Sequence, residues 1–313
     1  MKIAVITSGG DSPGMNPCLA EIVKNAEKMG HEVIGYRQGY LGIKNNDFVT
    51  LHIKDVVSWY KQGGTKLLSG RMPELKEKKW QQILVDNLLA EDINALIVIG
   101  GDGSFRGARD LHLLNNKLNV IGIPGTIDNN IYGSDYTLGF DTALNKLVQY
   151  IDDITDTAIS LPGRVFFVET LGAWDSFLTI SPVEMGIADF AVLINPPSTD
   201  EEVYEKVKHL LEVDKKDFVI ATFAEGSTEN SIHRMLRTAE FVRDKLNIKV
   251  KSNAIGYQQR GGSPTALDRL RASGFAKKAL DAIVYGISNK YVAYKNGEYI
   301  YVDFDEADKI KLE

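Results

Sequence analysis

Short runs of β-branched and other apolar residues recur along the chain, and longer helix-forming stretches separate them. The runs are KIAVIT (2–7), EVIGY (32–36), ALIVIG (95–100), NVIGI (119–123), RVFFVET (164–170), FAVLI (190–194), DFVIATF (217–223) and KSNAIGY (251–257). Several are apolar on both alternating faces, which is typical of strands that helices cover on both sides. The repeated strand–helix–strand order predicts α/β domains with mostly parallel sheets and right-handed crossovers.

Length, charge and cysteine content limit the class of protein. The chain has 313 residues, enough for two domains with separate cores. Its net charge of −6 gives no support to nucleic-acid binding, and no stretch of eighteen apolar residues predicts a membrane span. The first residues already resemble a strand, so we expect no signal peptide. Cys18 is the only cysteine, so no disulfide can form within the chain, and a reducing cytoplasm fits best.

Three glycine-containing loops follow predicted strands. TSGGDSPGMN (7–16) and IGGDGSFRGA (99–108) each open a predicted helix, and PGTIDNN (124–130) follows the strand NVIGI. Because ligands in such sheets bind where the carboxyl ends of strands meet loops, we expect these loops to lie close together. Glycine lets the backbone approach a ligand, and free N–H groups at a helix start bind anions. A tight strand-to-helix turn is the alternative for each loop alone, and the first two match neither a P-loop nor a Rossmann fingerprint.

Two carboxylates give these loops a chemical role. Asp102 beside a phosphate cradle would repel phosphate unless a cation such as Mg²⁺ intervenes, although it could instead cap the helix, together with Ser104. Asp128 would suit a base for an acceptor hydroxyl, with Thr126 beside the transferring group. A turn in which Asp128 and the following amides cap backbone groups is the alternative. Arg71 could contact phosphate or simply lie on the surface.

Together these segments resemble the ATP-dependent 6-phosphofructokinase family of bacterial type. The shared motifs run over nearly the whole chain and are TSGGDSPGMN, QGYLG (38–42), GGT (63–65), LLSGRMPE (67–74), GGDGS (100–104), PGTIDNN, YTLGFDTA (136–143) and GYQQRGGSPTALDR (256–269). The resemblance implies transfer of the γ-phosphoryl group of ATP to the 1-hydroxyl of fructose 6-phosphate, a step of glycolysis that yields fructose 1,6-bisphosphate and ADP. It implies Mg²⁺ as cofactor and ATP as co-substrate.

The same resemblance implies two mostly parallel three-layer α/β domains with the active site in the cleft between them. We expect residues 1–139 with about 259–302 to form a larger nucleotide-binding domain. Residues 140–258 with the C-terminal tail 303–313 are then expected to form the sugar-phosphate-binding domain. A cytoplasmic homotetramer whose neighbouring subunits share substrate sites is also implied, and a second phosphofructokinase chain is another partner left open.

The resemblance extends to individual residues. Asp128 is the expected base, and Thr126 lies with it in the transfer loop. The expected nucleotide-binding residues are Gly10, Tyr40, Arg71, Gly101, Asp102, Gly103, Ser104 and Arg106, with Asp102 also the Mg²⁺ ligand. The expected sugar-phosphate-binding residues are Arg164, Leu171, Gly172, Glu225, Lys251, Tyr257 and Arg260. Gly103 and Gly125 favour ATP, because pyrophosphate-dependent relatives typically carry Asp and Lys there.

Four positions depart from the family pattern. Ala173 stands where an Arg is usual, Asn130 replaces a second Asp, Tyr257 replaces a His and Lys251 replaces an Arg. The loss of one transition-state donor typically lowers the rate by about 10²–10³. Besides a weak 6-phosphofructokinase, the sequence therefore leaves two alternatives open. One is a catalytically impaired, phosphofructokinase-like regulatory or binding subunit, and the other is a kinase for another sugar phosphate.

Overall fold

The computed structural model describes residues 1–172, 177–226 and 231–309. Two compact units divide the chain: the larger comprises Met1–Thr142 and Arg260–Glu313, and the smaller comprises Ala143–Gln259. No helix in the described ranges is long and apolar enough to cross a bilayer.

Strands and helices alternate along both units. The strands are β1 (Lys2–Thr7), β2 (Glu32–Tyr36), β3 (Phe48–Leu51), β4 (Ala95–Gly100), β5 (Asn119–Pro124), β6 (Arg164–Thr170), β7 (Phe190–Val192), β8 (Phe218–Ala224), β9 (Lys249–Ala254), β10 (Lys290–Lys295) and β11 (Glu298–Asp303). The helices are α1 (Met15–Lys28), α2 (Tyr40–Asn45), α3 (Ile53–Val56), α4 (Lys78–Ala90), α5 (Asp102–Leu114), α6 (Phe140–Ser160), α7 (Phe177–Glu184), α8 (Asp200–Glu212), α9 (Ser231–Leu246) and α10 (Ala266–Val284). Short 3-10 helices lie at Trp59–Lys61, Pro73–Lys76, Gly256–Gln259 and Phe304–Asp308.

The sheet of the larger unit has the strand order β11-β10-β5-β4-β1-β2-β3. Its central strands pair in parallel, whereas β3 and β11 pair antiparallel to their neighbours at the two edges. The prediction of a mostly parallel α/β fold is therefore confirmed. The sequence pattern did not predict the edge strands β3 and β11, because their half-buried residues do not form a continuous apolar run. A hairpin signal was nevertheless present, since Asn296 and Gly297 join β10 to β11 with positive φ angles of 49° and 89°.

Alternation along β1 explains why this unit has three layers. Ile3 and Val5 are fully buried in a core shared with α1 and α10. Ala4 and Ile6 point the other way, into a second core shared with α4 and α5. A strand whose every side chain is buried must carry helices on both faces of its sheet, as the apolar runs predicted.

The tail after β11 belongs to the larger unit, which corrects the expectation that 303–313 joins the smaller one. Phe304 is fully buried, with its ring centroid 5.5 Å from that of Phe105 and 6.1 Å from that of Tyr291. Three aromatic rings in contact bury far more apolar surface than an isolated tail residue could, and they fix the segment 304–308 against α5.

The sheet of the smaller unit has the order β7-β8-β6-β9, with every pair parallel. Its core joins Val165 and Phe167 of β6 and Phe223 of β8 to apolar residues of α8 and α9. Strand β9 begins and ends earlier than the predicted run 251–257. It ends earlier because Gly256 has a φ of 55° and opens a 3-10 turn. Its first residues were not predicted as a strand because the exposed Lys249 interrupts the apolar pattern.

A buried carboxylate joins two of the sequence motifs within the larger unit. Asp268, in the first turn of α10, is fully buried. It accepts hydrogen bonds from the hydroxyl of Tyr136 at 2.6 Å and from the backbone N–H of Gly139 at 2.7 Å. Thr142 donates two more, from its N–H at 2.9 Å and its hydroxyl at 2.5 Å. Burial raises the pKa of this carboxyl above its ordinary value, and the four donors offset part of that cost.

Replacing Asp268 by Ala should lower the free energy of unfolding by roughly 3–5 kcal/mol, because several buried donors lose their acceptor together. Chemical denaturation would measure the change. Asp281→Ala is the matched control, since Asp281 is exposed on the same helix and its loss should cost less than about 0.5 kcal/mol. Equal effects for the two variants would contradict a structural role for Asp268.

Candidate active site

The three glycine-containing loops lie side by side at one edge of the larger sheet. They follow β1, β4 and β5, which are neighbours in that sheet and parallel, so their carboxyl ends point the same way. The N–H of Ser8 donates to the carbonyl of Ile99 at 2.9 Å, and the N–H of Gly125 donates to the carbonyl of Gly100 at 3.0 Å. The structure thus brings together the loops that the sequence predicted to be close.

Two glycines of these loops are closely approached by other groups, and at Gly100 the neighbour includes backbone that leaves no room for a side chain. A Cβ on Gly100 would lie 2.6 Å from both the hydroxyl oxygen of Ser104 and the backbone oxygen of Ser8. A Cβ on Gly10 would lie 2.7 Å from Nη1 of Arg260, whose guanidinium also donates to the carbonyl of Asp11 at 3.0 Å. Arg260, expected at the sugar phosphate, therefore lies against the first loop within the larger unit.

Helix α5 begins directly at the GGDGS loop. Gly101 is its N-cap residue and no side chain caps it, so neither Asp102 nor Ser104 has the capping role considered from the sequence. Ser104 is buried, and its N–H donates to the carbonyl of Gly101 at 3.0 Å. The free N–H groups of the first turn and the helix dipole together favour an anion at this end.

Arg106 ties Asp102 to the C-terminal segment. Its Nη2 lies 3.0 Å from Oδ2 of Asp102, and its Nη1 lies 2.8 Å from Oδ1 of Asp308. The hydrogen bond to Asp308, and then the charges of both carboxylates, raise the pKa of Arg106 against a smaller opposing effect of burial. Because all three side chains are about half exposed, each pair contributes at most about 1 kcal/mol. Asp102 therefore has a cation beside it that binds only weakly.

Tyr40 and Arg71 approach the loops in different ways. Tyr40 is only 3% exposed, and its hydroxyl donates to the carbonyl of Ser104 at 2.6 Å. Its ring thus supports the GGDGS loop from the interior. Arg71 is exposed and follows Ser69, whose hydroxyl donates to the carbonyl of Gly9 at 2.6 Å. The Arg71 guanidinium is thereby carried by a segment fastened to the first loop.

The loop PGTIDNN is fixed by the motif that follows it. The hydroxyl of Thr137 donates to the carbonyl of Thr126 at 2.6 Å, and the side-chain amide of Asn129 donates to the carbonyl of Asp135 at 3.2 Å. The N–H of Asp128 lies 3.3 Å from the hydroxyl oxygen of Thr126. Asn129 and Thr126 thus both bond to backbone groups of this region, and the side chain of Asp128 is largely buried.

A second group of expected residues meets in the smaller unit, after β6 and β8. The N–H of Gly172 donates to Oε2 of Glu225 at 3.3 Å, and the N–H of Leu171 donates to Oε1 of Gln259 at 2.7 Å. Tyr257 is 82% exposed in the 3-10 turn that ends at Gln259. Ala173, the position of the missing Arg, lies outside the described residues.

Arg164 and Lys251 lie away from this group. Arg164 begins β6, and the six-residue separation from Thr170 places them about 20 Å apart along the strand. The registers of β6 with β9 pair Arg164 with Lys249 and Phe166 with Lys251, so the three basic residues share one face of the sheet. Lys249 and Lys251 are exposed on the edge strand. Within the smaller unit, these residues and Glu225 cannot contact the same small molecule.

Sequence reasoning missed one titratable residue of this unit. Glu169 lies in the apolar run RVFFVET and is only 8% exposed. Burial, and then the charge of Glu225, raise its pKa to about 7. An acidic residue inside an otherwise apolar strand was the available signal, because such a residue is rarely buried without a function or a partner.

The acidic side chains present suit a Mg²⁺ ion that is bound together with phosphate. In the ranges 1–172, 177–226 and 231–309, no cluster of three or more His, Cys, Asp or Glu side chains could hold an ion. Mg²⁺ commonly takes only one or two carboxylates and completes its shell with phosphate oxygens and waters. Asp102, half exposed at the anion-favouring end of α5, suits that mode of binding.

Comparison with known proteins identifies the family. A profile of the phosphofructokinase family matches residues 2–283. The ATP-dependent 6-phosphofructokinase of a Sulfurihydrogenibium species is 41% identical over 308 residues, which cover 96% of this chain and 91% of the relative. That of Aquifex aeolicus is 37% identical over 317 residues, covering 99% and 95%. Phosphofructokinase from Saccharomyces cerevisiae matches in structure with a TM-score of 0.85 and 26% identity, over 98% of this chain and 45% of that chain. The chain belongs to the phosphofructokinase family.

Proposed function

We propose that the chain is an ATP-dependent 6-phosphofructokinase. It transfers the γ-phosphoryl group of ATP to the 1-hydroxyl of fructose 6-phosphate, which gives fructose 1,6-bisphosphate and ADP. The observation that carries the proposal is the meeting of three loops at one sheet edge, with Asp102 in one and Asp128 in another. Two relatives with that printed activity, 41% and 37% identical, support it. Glycolysis in the cytoplasm is the matching cellular setting.

The nucleotide side of the reaction falls to the first two loops and α5. Backbone N–H groups near Gly10, Gly101 and Gly103 suit the phosphates of ATP, because no Cβ blocks their approach. Ser104 and Tyr40 support this arrangement through the hydrogen bond at the Ser104 carbonyl. Arg71 and Arg106 supply positive charge for the phosphates, with Arg106 already held beside Asp102. When bound, Mg²⁺ would be held by Asp102 and would offset charge on the phosphates.

The transfer step falls to the third loop. Asp128 accepts the proton of the 1-hydroxyl as that oxygen attacks phosphorus, and Thr126 holds its place through the bond from Thr137. Asn130, half-buried at the end of the loop, leaves one carboxylate fewer than the family pattern has. Because the amide of Asn130 is neutral, it would hold Mg²⁺ and its waters less strongly than a carboxylate. We therefore expect slower turnover than with an Asp at this position.

The sugar-phosphate side uses Leu171, Gly172, Glu225, Tyr257 and Arg260. Glu225 accepts hydrogen bonds from sugar hydroxyls, and Arg260 binds negative charge near the first loop. Arg164 and Lys251 lie too far along the sheet to join Glu225 of the same subunit. We infer that they serve the substrate of a neighbouring subunit, which the symmetric homotetramer expected for this family would allow.

Replacing Asp128 by Asn should reduce turnover by about 10²–10⁴, because the 1-hydroxyl loses its proton acceptor while the loop keeps its shape. Formation of ADP with fructose 6-phosphate, ATP and Mg²⁺ would measure it, with other sugar phosphates tested in parallel. Asp135→Asn is the matched control, since Asp135 pairs with Lys295 at 2.7 Å in the segment following the loop. Full activity of Asp128→Asn would reject Asp128 as the base.

Sharing of sites between subunits can be tested by mixing two inactive variants. Co-refolded Asp128→Asn and Arg164→Glu chains should recover about one quarter of wild-type activity, because random pairing leaves that share of sites intact. Asp128→Asn mixed with Thr126→Val should recover none, since both changes fall in one loop. Failure of the first mixture, in tetramers of verified composition, would argue that each subunit completes its own site.

Replacing Arg106 by Ala should lower the Mg²⁺ concentration for half-maximal activity by roughly two- to fivefold, because an exposed competing cation is removed from Asp102. Arg109→Ala is the control: Arg109 lies 3.5 Å from both Asp305 and Asp308 and has no ion pair with Asp102 among the described residues. A higher Mg²⁺ requirement in Arg106→Ala would mean that Arg106 holds the phosphates more than it competes for Asp102.

A further inference from the structure

Glu169 occupies an unusual place for a carboxylate. It lies near the carboxyl end of β6 with only 8% of its surface exposed. Its Oε2 atom is buried and has no hydrogen-bond partner in the described part of the chain. An unpaired carboxyl in such surroundings is costly when ionised, so the site favours its neutral form.

A second carboxylate lies close to it. Glu169 pairs in register with Phe223 of β8, and Glu225 follows Phe223 by two residues on the same face. The spacing of neighbouring strands and the rise per residue place the two Cα atoms about 8 Å apart, within reach of facing side chains. Glu225 also accepts the N–H of Gly172 at 3.3 Å. Glu169 thus lies behind a residue that the proposed function assigns to the sugar.

In the ranges that the structure describes, the other elements packed on this face place no opposite charge beside Glu169. Its register partner on β9 is Ala254, and α9 contributes Met235 and Ala239 to the core there. Arg234 of α9 donates instead to the carbonyl of Leu193, at 2.6 Å. Among the described residues, Glu225 is the charged group that acts on Glu169, and its repulsion adds to the effect of burial.

We propose that Glu169 is a positioning residue of the sugar-phosphate site, whose ionisation weakens sugar-phosphate binding by placing a second negative charge behind Glu225. This inference rests on the proposed function. The substrate carries a phosphate dianion, so added negative charge near the site opposes it. Repulsion from Glu169 also opposes the placement of the Glu225 carboxylate that accepts the N–H of Gly172. When neutral, Glu169 removes that repulsion and leaves Glu225 as the single charged acceptor.

The pH dependence follows from the pKa of about 7. Below that pH Glu169 is largely neutral and binding is strong, and above it the ionised form raises KM for the sugar phosphate. The wild-type KM for fructose 6-phosphate should therefore rise roughly fivefold between about pH 6 and pH 8.5, with a much smaller change in kcat. Isosteric Glu169→Gln should hold the low KM over the same range.

The substrate phosphate titrates in this range too, so the informative quantity is the ratio of wild-type to variant KM at each pH. Glu205→Gln, an exposed position on α8, controls for a general loss of charge and should follow the wild type. A constant ratio for Glu169→Gln, with active enzyme, would overturn the inference and leave the proposed function intact. Absence of wild-type turnover with fructose 6-phosphate at every pH would overturn the proposed function, and with it the role at the sugar.

A second measurement does not depend on catalysis. The folded-state pKa of Glu169 is raised above its unfolded value, so wild-type stability should fall relative to Glu169→Gln as pH rises from below the unfolded pKa through about 7. Denaturant midpoints of both proteins at several pH values would show this. A pH-independent difference would overturn the inference whatever the kinetics. If Glu169→Gln fails to fold, Glu169→Asp serves for both measurements, with a shifted titration expected in place of a lost one.

Discussion

Parallel pairing of β5, β4 and β1 is the constraint on which the larger unit depends. It places the three loops that follow these strands at the same edge of the sheet. Backbone hydrogen bonds from Ser8 to Ile99 and from Gly125 to Gly100 hold neighbouring loops one strand spacing apart. At position 100 a Cβ would lie 2.6 Å from both the hydroxyl oxygen of Ser104 and the backbone oxygen of Ser8, so the close approach of these segments leaves room only for glycine. The side chains of the loops are therefore held by a sheet that the apolar cores on its two faces stabilise.

Two buried carboxyl groups illustrate how differently a protein can treat the same group. Asp268 receives four hydrogen bonds, and its role is to join the motif 136–143 to the start of α10. Oε2 of Glu169 has no such donor among the described residues, and burial, followed by the charge of Glu225, raises the pKa of this carboxyl to about 7. The hydrogen bonds to Asp268 rigidify the fold, whereas the protonation of Glu169 can change with pH near neutrality.

The doubly covered strands and their loops were predictable from sequence, because apolar runs and glycine positions reflect local backbone demands. The antiparallel edge strands and the placement of Phe304 were not, since both depend on contacts between distant segments. Among candidate residues, Asp102 and Asp128 were identified by their motifs. The burial of Tyr40, the ion pairs of Arg106 and the position of Glu169 needed the packed structure, because no local pattern encodes which side chain lies behind another.

The bond between Arg106 and Asp308 has a practical consequence for work with this protein. Together with the buried ring of Phe304, this weak pair holds the segment after β11 against the first turns of α5, beside the loop assigned to the nucleotide. A purification tag fused at the carboxyl end would begin close in sequence to Asp308 and therefore close to these contacts. A fusion at the amino end would instead begin at Met1, which is exposed and lies at the opposite end of β1 from the loops.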